Sequence, residues 1–312
     1  MTFNFRPAVR EATPLLIGLT GPSGSGKTKS ALRLAQGIQN VRGGKIAALD
    51  TEANRMLHYA DEHKFIHCPF GTPFGSDRYA DALESAAAAA AGGVVIVDSM
   101  SHEHEGQGGY LEYHDQEVKR LIESGGFKSE YAASIPAWNK PVARRRNLIN
   151  RLLQINCAFV FCFRAKEKLK IQKGKDPVAL GWQAIAGEEF VFEMTVRCLL
   201  LPGAMGVPDW SADAFKLGVP KRASSHEVMF KEGKPLDEET GSLLAQWAAG
   251  AALTLAEVKA AYAQATTPEA IAAVDTRAAQ LPADEKAAAR TARTARLTAL
   301  KAGQATAEAT TI

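Results

Sequence analysis

The eight residues Gly21-Pro22-Ser23-Gly24-Ser25-Gly26-Lys27-Thr28 constrain this chain more than any other stretch. They fit G-x-x-x-x-G-K-[ST], a pattern whose mechanics need one setting: a loop that leaves a buried strand and opens a helix. Gly21, Gly24 and Gly26 let the backbone wrap with its N–H groups turned inward, a concave donor array suited to phosphate oxygens. Lys27 is positioned to reach β- and γ-phosphates, Thr28 offers a hydroxyl to Mg²⁺, and the following helix presents its positive end. The flanks agree, since residues 15–20 form an apolar run of strand length and residues 27–39 have helical spacing. ATP with Mg²⁺ is the expected ligand, held by all eight residues.

Strand-length apolar runs recur at 45–50, 65–70, 94–98, 157–163 and 195–201. Between them, residues 51–63, 79–91, 110–123, 137–154 and 182–192 read as helices. Such alternation with continuously apolar strands predicts an α/β fold, a mostly parallel sheet covered by helices on both faces. After Pro202 the texture changes. Residues 203–240 are rich in Gly, Pro and charge, which predicts loops and a hairpin. Residues 249–312 are Ala-rich and break at Thr266-Thr267-Pro268-Glu269 and Leu281-Pro282-Ala283-Asp284, both helix starts with Pro in the first turn. The expected organisation is a core over 1–248 and a tail of two or three small helices over 249–312.

With 46% hydrophobic and 23% charged residues the composition is that of a soluble globular protein, and a net charge of +3 says little about partners. Cys68, Cys157, Cys162 and Cys198 show no metal-ligand rhythm; three lie in apolar runs, which suggests buried free thiols in a reducing cytoplasm. Residues 1–14 lack the apolar segment of a signal peptide, and the longest apolar stretch, 86–97, is too short to cross a bilayer. No membrane association is expected.

Two acids belong with the glycine-rich loop. Asp98 ends the run Val94–Asp98 and is placed to orient the Mg²⁺ shell. Ser99 follows it, so the Glu that AAA+ ATPases carry directly after this Asp is missing. The second strand ends Leu49-Asp50-Thr51-Glu52, and strand C-termini face the ligand in an open parallel sheet. Glu52 is therefore the expected water-activating base, with Asp50 as the alternative. The turn Ser101-His102-Glu103-His104-Glu105 reads as a loop beside the nucleotide with Glu103 and His104 as modulators, in preference to a metal site. His63 and His67 straddle a strand start and share no helix face.

In order along the chain, G-P-S-G-S-G-K-T, D-T-E, V-V-I-V-D-S and F-V-F-C-F-R resemble the core of RecA-like P-loop ATPases over residues 15–201. That resemblance implies a RecA-like fold, Glu52 as the catalytic base and Arg164 as the γ-phosphate sensor. An Arg at that position is a departure, because the family commonly has Gln or a similar polar residue there, and it leaves DNA contact as an alternative role. Over residues 3–250 the chain is similar, more narrowly, to phage- and prophage-encoded RecA-like ATPases of recombination and single-strand annealing, through F-R-P-A-V-R-E, D-T-E-A-N-R-M-L-H-Y-A-D, V-D-S-M-S-H-E-H-E-G and F-R-A-K-E-K-L-K-I. The cytoplasm of a bacterial host is the location this implies.

Between Asn139 and Lys175 stand eleven Lys or Arg against one acid, Glu167. They include Arg144, Arg145, Arg146, Lys166, Lys168, Lys170, Lys173 and Lys175. In the RecA-like family this region holds a mobile DNA-binding loop, and such basic density gives salt-dependent, sequence-tolerant affinity. The stretch lacks interleaved aromatics, Trp182 being the nearest, and a solvated charged hairpin is the plainer reading. Arg144–Arg146 are alternatively an arginine finger for a neighbouring subunit in a homo-oligomer. The leading expectation is an ATPase stimulated by DNA, single-stranded by preference, with other recombination or replication proteins as partners of the tail. The alternatives are a small-molecule kinase and a nucleotide-gated interaction module with little turnover.

Overall fold

Residues 12–170, 178–216, 220–250, 255–265, 267–278, 281 and 283–309 are described in the computed structural model. The first strand, β1 (Leu15–Gly21), is buried throughout and runs into the glycine-rich loop, which opens helix α1 (Lys27–Arg42). Then follow β2 (Ile46–Asp50), a 3₁₀ turn over Arg55–Tyr59, β3 (Ile66–Pro69), α2 (Ser76–Ala90) and β4 (Val94–Asp98). Four helices come next: α3 (Ser101–Glu105), α4 (Tyr110–Glu123), α5 (Glu130–Ala137) and α6 (Asn139–Leu152). The chain continues through β5 (Ala158–Lys170), β6 (Val178–Ala184), α7 (Glu188–Phe192) and β7 (Val196–Leu199). Beyond β7 come α8 (Ala212–Lys216), α9 (Ser224–Glu227), α10 (Glu238–Ala248), α11 (Leu255–Gln264), α12 (Pro268–Ala278) and α13 (Ala283–Ala309).

The protein is α/β, with a mostly parallel seven-stranded sheet flanked by helices. Strand order is β3-β2-β4-β5-β1-β7, all parallel, with β6 added antiparallel to β5. The register sets the site. Asp50 is level with Asp98 across β2 and β4, and Gly21 is level with Arg164 across β1 and β5. Gly21, Asp50 and Asp98 therefore end parallel strands of the sheet, and Arg164 stands beside them where β5 runs on past β1. The strands are apolar on both sides because helices cover both faces, and one core cluster gathers Val95, Val97, Phe159, Phe161 and Phe163 with Tyr79 and Leu83 of α2 and Leu148 and Leu152 of α6. Helix α1 buries Ala31, Leu34, Ala35 and Ile38 at helical spacing. Its Gly37 allows close approach of α10, since a Cβ there would lie 1.9 Å from the Glu238 carbonyl oxygen.

Several expectations need correcting. Residues 51–63 do not form an α-helix: Ala53 and Asn54 take positive φ, and only Arg55–Tyr59 coils, as 3₁₀. The cause is local, because the Asp50 carboxylate accepts the N–H groups of Glu52 (2.8 Å) and Met56 (3.0 Å) and so competes with helical pairing. The segment 182–192 is not one helix. Its first part is β6, drawn into a ladder by the overhanging half of β5, and only Glu188–Phe192 is helical. Helix α5 precedes α6 where residues 130–136 carried no expectation. Among the described residues of 203–240 there is no hairpin; two isolated bridges, Arg197 to Lys221 and Leu199 to Asp209, edge β7 instead.

The chain divides into two compact units, Pro14–Ala245 and Gln246–Ile312 together with Met1–Thr13. In the second unit, α11, α12 and α13 enclose Val258, Tyr262, Ile271, Leu281 and Ala289. Asp275 accepts hydrogen bonds there from the Tyr262 hydroxyl (2.7 Å) and from Arg293 Nε (2.7 Å). Among the described residues no helix is long and apolar enough to cross a membrane.

Candidate functional site

A cleft of about 500 Å³ opens at the carboxyl ends of the central strands. Its wall takes in Ser23, Gly24, Gly26, Lys27 and Thr28 of the loop, Asp98 after β4, Glu52 after β2 and Arg164 of β5. Residues more than a hundred positions apart thus meet in one place, as the strand register requires. The loop is built to stay open. Gly26 has φ near +93°, and a Cβ on it would lie 2.5 Å from the Gly206 nitrogen, which itself donates to the Ser25 carbonyl at 3.0 Å. A turn at 204–206 therefore braces the loop, and only glycine fits at 26. No side chain caps α1 and its first turn carries no acid, so its leading N–H groups have no intrahelical or side-chain acceptor. The buried Ser25 hydroxyl likewise has no partner.

Lys27 folds over the loop and donates to the Pro22 carbonyl at 2.7 Å. Burial lowers its pKa, while Asp98 and Glu52 oppose the shift. Thr28 Oγ1 donates to Asp98 Oδ2 at 2.5 Å. Burial raises the pKa of Asp98, and the Thr28 bond only partly offsets it. Two hard oxygens, a hydroxyl and a carboxylate, thus face one another at the foot of the cleft, a donor set suited to a small divalent cation that also binds phosphate. Among the described residues no group of three or more His, Cys, Asp and Glu side chains is arranged to hold a metal by itself. Cys162, buried beside Asp98, and Cys157 and Cys198 are free buried thiols; Cys68 is free and exposed.

Glu52 and Arg164 face each other across the same cleft. Arg164 Nε and Nη2 donate to the two carboxylate oxygens of Glu52 at 2.7 and 2.6 Å, a fork-to-fork pair. Burial pushes Glu52 upward, but the hydrogen bonds and charge of Arg164 outweigh it and leave the carboxylate pKa below its usual range. Asp50, the alternative base, is committed to structure: besides the two backbone N–H groups it meets His67 Nε2 at 3.1 Å. Arg55, His58 and Tyr59 also line the cleft. They escaped the sequence reading because they sit on the 3₁₀ turn that replaced the expected helix. The D-T-E strand end preceding them was the signal available.

Behind the cleft the end of β4 is tied down. The Ser99 N–H donates to Thr51 Oγ1 at 2.6 Å, and the Tyr79 hydroxyl donates to the Ser99 carbonyl at 3.0 Å. His102 Nδ1 lies 2.6 Å from Thr51 Oγ1. Glu103 is buried and reaches away from the cleft. It accepts from the Ser76 hydroxyl at 2.6 Å and from Arg145 Nη2 at 2.9 Å.

Among the described residues the basic stretch does not form one surface. Arg145 is only 2% exposed, with its guanidinium enclosed by Glu103, Glu189, His104 and the Tyr110 ring, so it is removed from the nucleic-acid contacts and from the finger role alike. Helix α6 turns it inward, beside Leu148 and Leu152 on the buried face. Arg144 pairs with Asp77 at 3.1 Å and stacks on Tyr113, while Arg146 is exposed. Lys166 and Lys168 are exposed on the overhanging half of β5, which pairs with β6 as a hairpin, and Lys170 ends that strand. Lys173 and Lys175 lie outside the described residues. Lys166 reaches to 3.9 Å from Glu105, which also lines the cleft.

A scan against protein-family models found no match for this chain, and neither did a search of curated proteins.

Proposed function

We propose that this protein is a RecA-like P-loop ATPase that acts on DNA, single-stranded by preference, in phage-type recombination or replication. The observation that carries the reading is the convergence of Lys27, Thr28, Asp98 and Glu52 on one cleft beneath an uncapped helix N-terminus. Loop N–H groups and the dipole of α1 receive the triphosphate, and Lys27 exchanges the Pro22 carbonyl for phosphate oxygens. Thr28 and Asp98 would hold Mg²⁺, which when bound neutralises charge on the phosphates. His58 and Tyr59, which also line the cleft, are aromatic side chains available to pack against the base. Glu52, kept ionised, orients and deprotonates water at the γ-phosphate end. The exposed Lys166 and Lys168 give the hairpin affinity for a phosphate backbone.

ATP turnover with and without single-stranded DNA, alongside a mass measurement for oligomeric state, tests this. Turnover is expected to rise with DNA, and DNA affinity to fall steeply with salt. A rate that no nucleic acid changes at any salt concentration would remove DNA from the function.

A further inference from the structure

Arg164 stands where β5 passes from one environment to another. It is the last β5 residue registered with β1, opposite Gly21, and Ala165 is the first registered with β6, opposite Ala184. Its backbone is clamped on both sides, the N–H donating to Ser101 Oγ at 2.8 Å and the carbonyl accepting from the Ile185 N–H at 2.8 Å. Its side chain takes both oxygens of Glu52. In this arrangement one lone pair on each carboxylate oxygen is directed at a guanidinium, and the paired cation makes the carboxylate a weaker acceptor for a water proton. Two residues further on, Lys166 faces Glu105 on the same cleft. Cations at the root of the hairpin are thus held by acids of the cleft, and a polyanion would compete for them.

We propose that Arg164 is a latch on Glu52 and that a nucleic-acid backbone seated on the β5–β6 hairpin releases it. The inference rests on the ATPase reading and deepens it. A polyanion engages Lys168 and draws Lys166 from Glu105, the hairpin root shifts, and the fork at Glu52 opens. Glu52 then accepts a proton from the attacking water. Arg164 is a positioning residue in the resting state, acting through Glu52. The latch explains why an Arg stands at this strand position: a neutral amide cannot hold a carboxylate by two charged hydrogen bonds.

The test compares wild type, Arg164→Gln and Arg164→Lys for ATP binding, with a fluorescent ATP analogue, and for turnover with and without a poly-dT oligonucleotide. Releasing a charged bidentate contact of this exposure is expected to raise DNA-free turnover roughly five- to thirtyfold in Arg164→Gln. DNA should then add little. Arg164→Lys, which keeps the charge but loses the fork, should fall between. Adding Arg164→Gln to Lys168→Glu should give the released rate without DNA. DNA-free turnover at or below wild type in both Arg164 variants, with analogue binding intact, would overturn the latch and make Arg164 a catalytic contact. Absence of analogue binding by wild type would instead fell the ATPase reading, and the latch with it.

Discussion

Replacing Arg145 with Met tests how the core around the site is held. The guanidinium makes two hydrogen bonds to Glu103 (3.2 and 2.9 Å), one to Glu189 (3.1 Å) and one contact to His104 (3.0 Å), and it lies 3.3 Å over the Tyr110 ring. Glu103 is itself buried and keeps only the Ser76 hydroxyl once Arg145 is gone. Breaking a buried pair from one side costs about 3–5 kcal/mol, because the remaining charge loses its compensation. For a unit of this size that corresponds to roughly 6–20 °C in melting temperature. Thermal unfolding followed by circular dichroism measures it, and the pair Arg145→Met with Glu103→Gln should recover a large part of the loss, since the double change leaves no bare charge. Arg145→Met with melting within about 1 kcal/mol of wild type, but with DNA affinity reduced, would refute the reasoning and return Arg145 to the surface role the tribasic run suggested.

Other consequences are as direct. Glu52→Gln should retain ATP-analogue binding and lose turnover about 10²-fold or more, read in a steady-state phosphate-release assay; normal turnover would reassign the base. Gly26→Ala should abolish analogue binding, since its Cβ would meet the Gly206 backbone; unaltered affinity in a titration would show that the brace yields. His104 is held down to about 4 by burial and the neighbouring Arg145, so its contribution to stability is complete above its ordinary value of 6.5 and is lost as pH falls toward 4. Allowing for its partial exposure this amounts to about 1–2 kcal/mol. Urea denaturation at pH 7 and pH 4.5 should show the difference shrink in His104→Gln.

Much of the architecture was legible because burial on both faces of a parallel strand leaves an uninterrupted apolar run. The runs at 15–20, 45–50, 94–98 and 157–163 are short and flanked by Gly or charge, and the last two are also rich in β-branched or aromatic residues. The loop at 21–28 was readable for a different reason: its geometry needs glycine at set places, so the constraint is written in residue identity. Residues 182–184 and 51–63 misled because their conformation is decided by partners: an overhanging β5 for the first, the Asp50 carboxylate for the second.

Charge shows the boundary most sharply. A glycine-rich cradle after a buried strand, Asp98 at the end of another, Glu52 just beyond a third and the basic residues crowding 139–175 are all legible in the order of amino acids. Which of those charges face water is set by the fold instead. Arg145 and Arg146 are neighbours in the chain, yet helical geometry turns one into the core and leaves the other exposed. Arg164 and Glu52 are 112 residues apart, yet parallel register brings their side chains within hydrogen-bonding distance. Composition counts charges, whereas their pairing depends on the strand order that brings distant residues together.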